Sequence, residues 1–394
     1  MHRCLVRAAL ALACMTGLAF AEEPSRKEPI KIGMVVSTSG VMADGGRQIL
    51  GGARLYLDEI GGSVDGRKVE LLIRDDQGLA DVAKRVTQEL VTQDKVAMIA
   101  GIALTPQALA VAPVVTASKV PALVLGAGTS MIVEKSPYFV RSSFTLPQQT
   151  FPLADYVADT GAKTAVTLVT DYGPGIDAEN TFRVAFEKRG GKVLEQLRVP
   201  YASADYAAYL ERAADAKPDV LFLLAPGNQG GPLMRQASER GLLSGAMKIV
   251  GVGDISEDQD LNSMPDAMIG LVTSHFYSAA HPSPLNTRFV SAFRAKVGIR
   301  PNFLGVSGYD GMRLMVEAVR KTGGDLDGDK LIAAMRGANF ESPRGPLRID
   351  PETRDVVQNV YIRRVERQNG ELYNIEFVTV PDVKDPLHGA TATR

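Results

Sequence analysis

Cysteine is almost missing from this chain of 394 residues, and tryptophan is missing altogether. Both cysteines, Cys4 and Cys14, fall within the first 21 residues. Everything after them is without a thiol for a disulfide, a redox pair or a cysteine-held metal. Histidine is nearly as scarce: past the opening segment only His275, His281 and His388 occur. No HExxH, G-x-S-x-G or Walker A spacing is present, and GVSGYDG lacks the nucleophile-elbow pattern. With no base and nucleophile to pair, the chain does not read as an enzyme. Charge of one sign is not in excess either: 44 Lys and Arg face 45 Asp and Glu, which leaves no footprint for nucleic acid. Beyond the opening segment no run approaches ~18 apolar residues, so no membrane-spanning helix is expected and the mature protein should be soluble.

The opening segment itself is informative. Arg3 and Arg7 precede the apolar stretch AALALACMTGLAF, and Ala19-Phe20-Ala21 is an A-x-A site ahead of Glu22-Glu23-Pro24. This is the pattern of a secretory signal peptide over residues 1–21, cut after Ala21, and it predicts a periplasmic location. Cys14 in LACM offers an alternative lipoprotein cleavage, but the apolar MTGLAF that follows fits an uncut signal better. Cleavage after Ala21 removes two positive charges from a formal net charge of −1.

From Ile30 the pattern alternates. IKIGMVVST, KVELLIRDD, VAMIAG and PALVLG read as strands, with helical spacing in GGRQILGGARLYLDEIG, DVAKRVTQELVTQ and QALAVAPVVTASK between them. The alternation restarts at LADYVADTG and continues through the strands KTAVTLVTD, KVLEQLRVP, DVLFLLAP and MKIVGVGD. Short apolar strands separated by amphipathic helices predict parallel sheets covered on both faces. The fold class is therefore α/β, with two Rossmann-like lobes and a cleft between them. IGLVTSHFY fits a strand or a crossover. The helices LNTRFVSAFRAKVG, GVSGYDGMRLMVEAVRKTG and DGDKLIAAMRG follow, then the strands PLRIDP, VVQNVYIRRVE and ELYNIEFVTV. Gln368-Asn369-Gly370 between the last two signals a hairpin. A tail of this kind completes both lobes and makes each discontinuous.

Thr170–Phe182, TDYGPGIDAENTF, has the G-x-G-x-x-A spacing of a dinucleotide turn. Pro174 removes a backbone donor there, and Asp177 and Glu179 set negative charge in the first turn of the following helix. Both features repel a phosphate. The better reading ends a strand at Tyr172, makes a tight turn with Gly173 and Gly175 and begins a helix near Gly175. In open parallel sheets ligands sit beyond the carboxyl ends of strands. The loops that qualify are Thr38-Ser39-Gly40, Leu104-Thr105-Pro106, Gly126–Ser130 and Asp171-Tyr172-Gly173. Small hydroxyls and free N–H groups at helix starts suit a carboxylate, although any one of them alone is explained by helix capping. His275 and His281 could pair on a metal, but a hydrogen-bonded crossover explains them better. Asp75-Asp76 and Asp325/Asp327/Asp329 read as solvated acidic loops, not as a calcium loop.

IKIGMVVSTSG, GARLYLDEIG, ELLIRDDQ, ALAVAPV, KVPALVLGAGTS, TDYGPG, RQASERGL and GYDGMRL together resemble the periplasmic solute-binding proteins of ABC importers, in the Leu/Ile/Val-binding branch. The resemblance runs from Ile30 to about Asp385. It implies the type I periplasmic binding fold, with one lobe from 29–144 plus 279–350 and another from 145–278 plus 351–385. Crossings are implied near Arg141–Pro147, Thr273–His281 and Arg348–Asp355. Thr105 and neighbouring amides would hold a ligand carboxylate, Ala127 and Thr129 would contact its carboxylate or amino group, and Tyr172 would close from the second lobe. Asp254 would pair with an ammonium. The implied protein is a monomer that hands a hydrophobic amino acid to a membrane permease, with no cofactor and no metal.

Departures from the branch bear on the ligand. Gly45 stands where amino-acid binders often have an aromatic, and ALTP replaces a serine-rich loop; both changes imply a wider pocket. SPYFVRSSFTLPQ, DYGPGIDAE, HFYSAAH and RPNF also resemble a subgroup for aromatic carboxylates, in which Arg47 would supply charge. A sensory or amide-binding role on the same fold is a further alternative.

Overall fold

The computed structural model describes residues 28–388 apart from 202, 227 and 228. The expected signal peptide, with Cys4 and Cys14, lies outside the described residues. No helix among those described is long and apolar enough to cross a membrane.

The chain begins with β1 (Ile30–Val36), α1 (Ala43–Glu59), β2 (Ser63–Val64), β3 (Arg67–Asp75), α2 (Ala80–Thr92), β4 (Met98–Gly101), α3 (Thr105–Ser118), β5 (Ala122–Val124) and β6 (Phe139–Arg141). The strands form a six-stranded sheet in the order β2-β3-β1-β4-β5-β6. All its pairings are parallel except the short β2 against β3. Ile30, Ile32, Met34, Val35 and Val36 of the central β1 are buried, as a strand covered on both faces requires.

After α4 (Leu146–Asp159) a second unit repeats the alternation: β7 (Thr164–Asp171), α5 (Gly173–Lys188), β8 (Lys192–Pro200), α6 (Ala207–Asp215), β9 (Val220–Leu224), α7 (Gly230–Glu239), β10 (Lys248–Val252) and β11 (Val272–His275). The chain then supplies α8 (Pro284–Val297), α9 (Phe303–Lys321) and α10 (Gly328–Met335). It ends with β12 (Asn339–Ser342), β13 (Gly345–Ile349), β14 (Val356–Gln368) and β15 (Glu371–Val383). The second sheet has nine strands in the order β12-β13-β14-β11-β10-β9-β7-β8, with β15 on β14. It is parallel from β8 to β11 and antiparallel beyond. The stretch left open between strand and crossover thus contains a strand, β11. Asn369 and Gly370 both take positive φ between β14 and β15, the two-residue hairpin turn that their types favour.

Two expectations need adjustment. The division after residue 350 separates β13 from β14, which pair antiparallel around a turn closed by Asp350 N–H donating to Asp355 O at 2.8 Å. Strands β12 and β13 therefore belong to the second sheet, and only α8, α9 and α10 of the segment 279–350 return to the first unit. The expected third crossing, Arg348–Asp355, is the turn of that hairpin, and it docks on the first sheet: Arg354 O accepts from Arg141 N–H at 3.1 Å.

The return of α9 depends on glycine. A Cβ at Gly52 would lie 1.9 Å from Gly305 O, and one at Gly308 would lie 2.1 Å from Ile49 O. Helices α1 and α9 therefore touch backbone to backbone, and Tyr309 Oη donates to Glu59 Oε2 at 2.6 Å beside the contact.

Three arginines are among the largest fully buried side chains, and all sit where the chain passes between the sheets. Arg344 donates to the carbonyls of Ser142 and Ser143 and pairs with Asp310 at 2.9 Å. Arg363 donates to Tyr277 O, and Arg141 pairs with Asp355.

Gly52→Ala is expected to push α1 and α9 apart and destabilise the protein by ~1–3 kcal/mol, the usual cost of overpacking. Urea unfolding measures this directly, and an unchanged midpoint would show that the helices separate freely.

Candidate functional site

The loops at the carboxyl ends of β1, β4 and β5 face those of β7, β9 and β10 across one cavity. Gly45, Thr105, Gly126, Gly128 and the start of α9 line it from the first unit. Tyr172, Pro174, Pro226, Asp254, Glu257 and Gln259 line it from the second. Phe144 and Leu146 come from the segment crossing between them.

One end gathers donors whose chemistry suits an anion. Helix α3 starts at Thr105, and its first backbone N–H groups have no acceptor within the helix. Pro106 removes one of these donors. Thr105 Oγ1 and Thr129 Oγ1 share a hydrogen bond of 2.8 Å beside the helix start. Gln107 Oε1 accepts from Leu104 N–H at 2.9 Å and fixes the entry of the chain. Helix α5 approaches from the other side with Tyr172 as its N-cap. A Cβ at Gly173 would lie 3.1 Å from Thr129 Oγ1, so the two units are close here and a side chain at this position would crowd the hydroxyl. Two helix N-termini thus converge on two hydroxyls, a positive field without a basic side chain.

The opposite wall is acidic. The turn after β10 carries Asp254, with Glu257 three residues later. Asp254 is 6% exposed, and its Oδ2 has no hydrogen-bond partner among the described residues. Burial pushes its carboxyl up to about 6, opposed by the charge of Arg363. Glu257 Oε2 accepts from Asn302 Nδ2 at 2.9 Å. Burial first, and the charge of Asp254 second, push the Glu257 carboxyl well above its ordinary range. The same two causes raise the Tyr172 hydroxyl, which remains a neutral donor. No Lys or Arg lines the cavity among the described residues. Rings supply the apolar walls: Phe144 meets Phe303 edge-on at 5.4 Å, and Tyr172 leans on Tyr201 at 5.3 Å.

Of the residues singled out in the sequence, the structure brings Thr105, Tyr172 and Asp254 to the cavity and sets Thr129 behind Thr105. Ala127 does not reach it. Its side chain is in the core, its N–H donates to Ile102 O, and its carbonyl accepts from Arg141. Arg47 is also displaced: it lies on the outer side of α1, donates to Val297 O at 2.7 Å and faces a separate surface groove. The pocket is not widened at Gly45, because Leu304 fills that space, 2.9 Å from where a Cβ would stand. Helix α5 begins at Gly173 rather than Gly175, and neither glycine has a positive φ. Gly175 is required for contact instead, since a Cβ there would lie 2.0 Å from Thr170 O.

Phe144, Asn302 and Phe303 entered only within the quoted stretches SPYFVRSSFTLPQ and RPNF, with no role of their own, and Glu257 not at all. Asn302 was within reach: an Asn followed by an apolar helical run is an N-cap signal, and its side chain accepts from Leu304 and Gly305 N–H. Glu257 carries no such mark, because the short turn that aims it has no periodicity. His281 hydrogen-bonds with Glu376 at 2.7 Å, and His275 is buried among Phe144, Phe276 and Phe303.

A family model described as periplasmic binding protein matches residues 29–371. The chain is 36% identical over 385 residues to Leu/Ile/Val-binding protein homolog 6 of Brucella abortus (strain 2308), covering 96% of this chain and 98% of that one. Among solved structures it is similar to the solute-binding protein of an ABC transporter from Rhodopseudomonas palustris BisB5 in complex with 3,4-dihydroxybenzoic acid. That similarity has 50% identity and a TM-score of 0.89, over 91% of this chain and 99% of that one. A second solute-binding protein from R. palustris, in complex with 4-hydroxybenzoate, is 39% identical with a TM-score of 0.88, over 91% and 98% of the two chains. These relatives are transport proteins that bind substrate rather than transform it, and the family places them outside the cytoplasm. With two parallel-dominated sheets facing each other across a cavity built from strand ends, the chain belongs to the periplasmic binding proteins, as a solute-binding protein of an ABC transporter.

Proposed function

We propose that the cleft takes an aromatic carboxylate bearing a ring hydroxyl, of the hydroxybenzoate type, and presents it to the membrane permease of an importer. The observation that carries this reading is the order of chemistry along the cavity: an anion seat, ring walls, then unpaired acceptors. The ligand carboxylate would accept from Thr105 N–H and from the Thr105 and Thr129 hydroxyls. The ring would lie against Phe144, Phe303 and Tyr172, and a ring hydroxyl would donate to Asp254 Oδ2 or to Glu257. The ligands of the two R. palustris proteins support the same class.

The energetics require both ends of the ligand. A micromolar solute needs about −8 kcal/mol. Burial of one ring supplies only ~1.5–3 kcal/mol, so charge-assisted hydrogen bonds at the seat and at the acids must supply much of the rest. No covalent step is involved. Contact with both lobes at once stabilises the closed arrangement, which the permease would recognise.

A second reading is favoured by the pair of acids. A hydrophobic amino acid would use the same seat and give its ammonium to Asp254 and Glu257, in keeping with the name of the Brucella relative.

Thermal unfolding against 3,4-dihydroxybenzoate, 4-hydroxybenzoate, benzoate, leucine and phenylalanine separates the readings. A site ligand at ~100 times its dissociation constant should stabilise by ~2.7 kcal/mol. Stabilisation by the hydroxybenzoates, less by benzoate and none by the amino acids is expected. The reverse pattern would replace this proposal by the second reading. Tyr172→Ala should weaken hydroxybenzoate binding by more than ~1 kcal/mol through loss of a ring wall, and calorimetric titration reads that loss. An unchanged affinity would remove Tyr172 from the site.

Asp254 also makes a prediction for the protein without ligand. Its carboxyl near 6 lies above the ordinary carboxyl range, so between about pH 4 and 6 the folded protein keeps a proton that the unfolded chain has released. This favours folding below pH 4 and is lost as pH rises through 6. The stability of Asp254→Asn relative to the parent should therefore increase from pH 4 to pH 7, by ~2 kcal/mol. Parallel denaturation curves at both pH values would show that Asp254 stays solvated.

A further inference from the structure

We propose that Ser130 of the loop from Gly126 to Ser130 and Asp177 of α5 form a latch across the two lobes, with Asp385 as a second acceptor and Arg141, held by Asp355, positioning Ser130 for it. The inference rests on the reading of the cleft as the ligand site, and it concerns closure of that site rather than contact with the ligand.

Ser130 follows directly on Thr129, and every polar group it has is engaged. Its N–H donates to Asp177 Oδ2 at 3.1 Å, and its Oγ donates to Asp385 Oδ2 at 2.5 Å. Its carbonyl accepts from Arg141 Nη2 at 3.0 Å. Arg141 holds the rest of the loop as well, donating to Ala127 O at 2.9 Å and to Thr129 O at 2.7 Å. The guanidinium is fully buried and is itself fixed by Asp355, through Nε at 2.8 Å and Nη2 at 2.5 Å. These bonds brace the loop from Ala127 to Ser130, with the Ser130 N–H directed at α5.

Asp177 belongs to the other lobe. Helix α5 packs on β7 and β8 of the second sheet, whereas the Ser130 loop follows β5 of the first. Asp177 also lies one turn after Tyr172, so a single rigid helix start carries both the ring wall and the latch acceptor. Asp385 follows β15 of the second sheet, so its bond from Ser130 Oγ also spans the lobes; when they part, both bonds from Ser130 are drawn apart while the Arg141 contacts inside the loop persist. Asp355, Asp385 and His388 have spacing that could hold a metal ion. Both Asp355 oxygens already accept from Arg141, and the guanidinium charge disfavours a cation at that place, so the cluster is assigned to positioning.

The absence of cysteine after Cys14 makes the test direct. Cysteines introduced at the exposed Lys84 of the first lobe and Glu211 of the second, as Lys84→Cys and Glu211→Cys, take a fluorescent donor and acceptor that report lobe separation. Asp177→Ala should shift the ligand-free protein toward longer separations. It should also speed release of 3,4-dihydroxybenzoate about ten-fold with its association rate unchanged. Asp177→Asn keeps an amide oxygen to accept from Ser130 N–H and should stay within about two-fold of the parent. Asp385→Ala, which removes the second bond to Ser130 and leaves that to Asp177 in place, should fall between them. Separation and release unchanged in Asp177→Ala would overturn the latch, and so would Asn behaving like Ala, since charge and not the bond would then be at work. If 3,4-dihydroxybenzoate fails to bind the parent protein, the ligand reading fails alone; the ligand-free separations of the same variants still uphold or overturn the latch.

Discussion

Backbone that leaves a sheet and runs through a protein interior must find hydrogen-bond partners without water. The segments that join these two lobes do so, and buried arginine is the answer the fold adopts. A guanidinium carries five donors in one plane. Arg344 spends them on Ser142 and Ser143, Arg363 on Tyr277, and Arg141 on the loop from Ala127 to Ser130. Burying three positive charges is costly unless each is paired and fully hydrogen-bonded. Asp310 and Asp355 meet Arg344 and Arg141 directly, and Asp258 lies 4.0 Å from Arg363. The pairs of Arg344 with Asp310 and of Arg141 with Asp355 join the two units and so bear on the shape of the cleft between them, whereas that of Arg363 with Asp258 lies within the second.

The cleft inverts the usual expectation for an anion site. No basic side chain lines it among the described residues, and the acids Asp44, Asp254 and Glu257 do. On the proposed reading, attraction for a carboxylate would come from oriented N–H and hydroxyl groups at helix starts, which demand exact geometry of the backbone. That demand explains why so much of the surrounding structure is devoted to fixing a five-residue loop. On the same reading, the raised carboxyls of Asp254 and Glu257 would weaken the repulsion that two ordinary carboxylates would exert on an anionic ligand.

Much of the architecture was legible in the sequence because it rests on periodicity. β1, α2 and β7 are short apolar or amphipathic runs with clear punctuation, and the Asn369-Gly370 turn is written in its residue types. The site was legible only in part. Thr105 and Tyr172 were read from strand ends and Asp254 from the family resemblance, and all three line the cavity. Arg47 was misplaced because helical spacing does not say which face of α1 meets the cleft. The pocket at Gly45 was judged wider than it is because Leu304, which fills the space, arrives from a helix far along the chain. Phe144 and Glu257 lie on a crossing segment and a short turn, where no repeat marks the direction of a side chain. The strands β12 and β13 were assigned to the wrong sheet for a related reason: a hairpin partner is a tertiary choice.

The glycine contact between α1 and α9 has a consequence for the order in which the molecule is built. Tyr309 meets Glu59 across 250 residues of chain, and the helices that carry them fit only when both are present. All of the second lobe's parallel strands are made in between. Their own core therefore has the means to form early, from contacts close in sequence, while the first lobe waits with one face of α1 bare. A chain emerging end first, on a ribosome or through a membrane, would thus have the parallel part of the second lobe in hand before α9 closes the first lobe, and would finish the second sheet last, with β12 to β15.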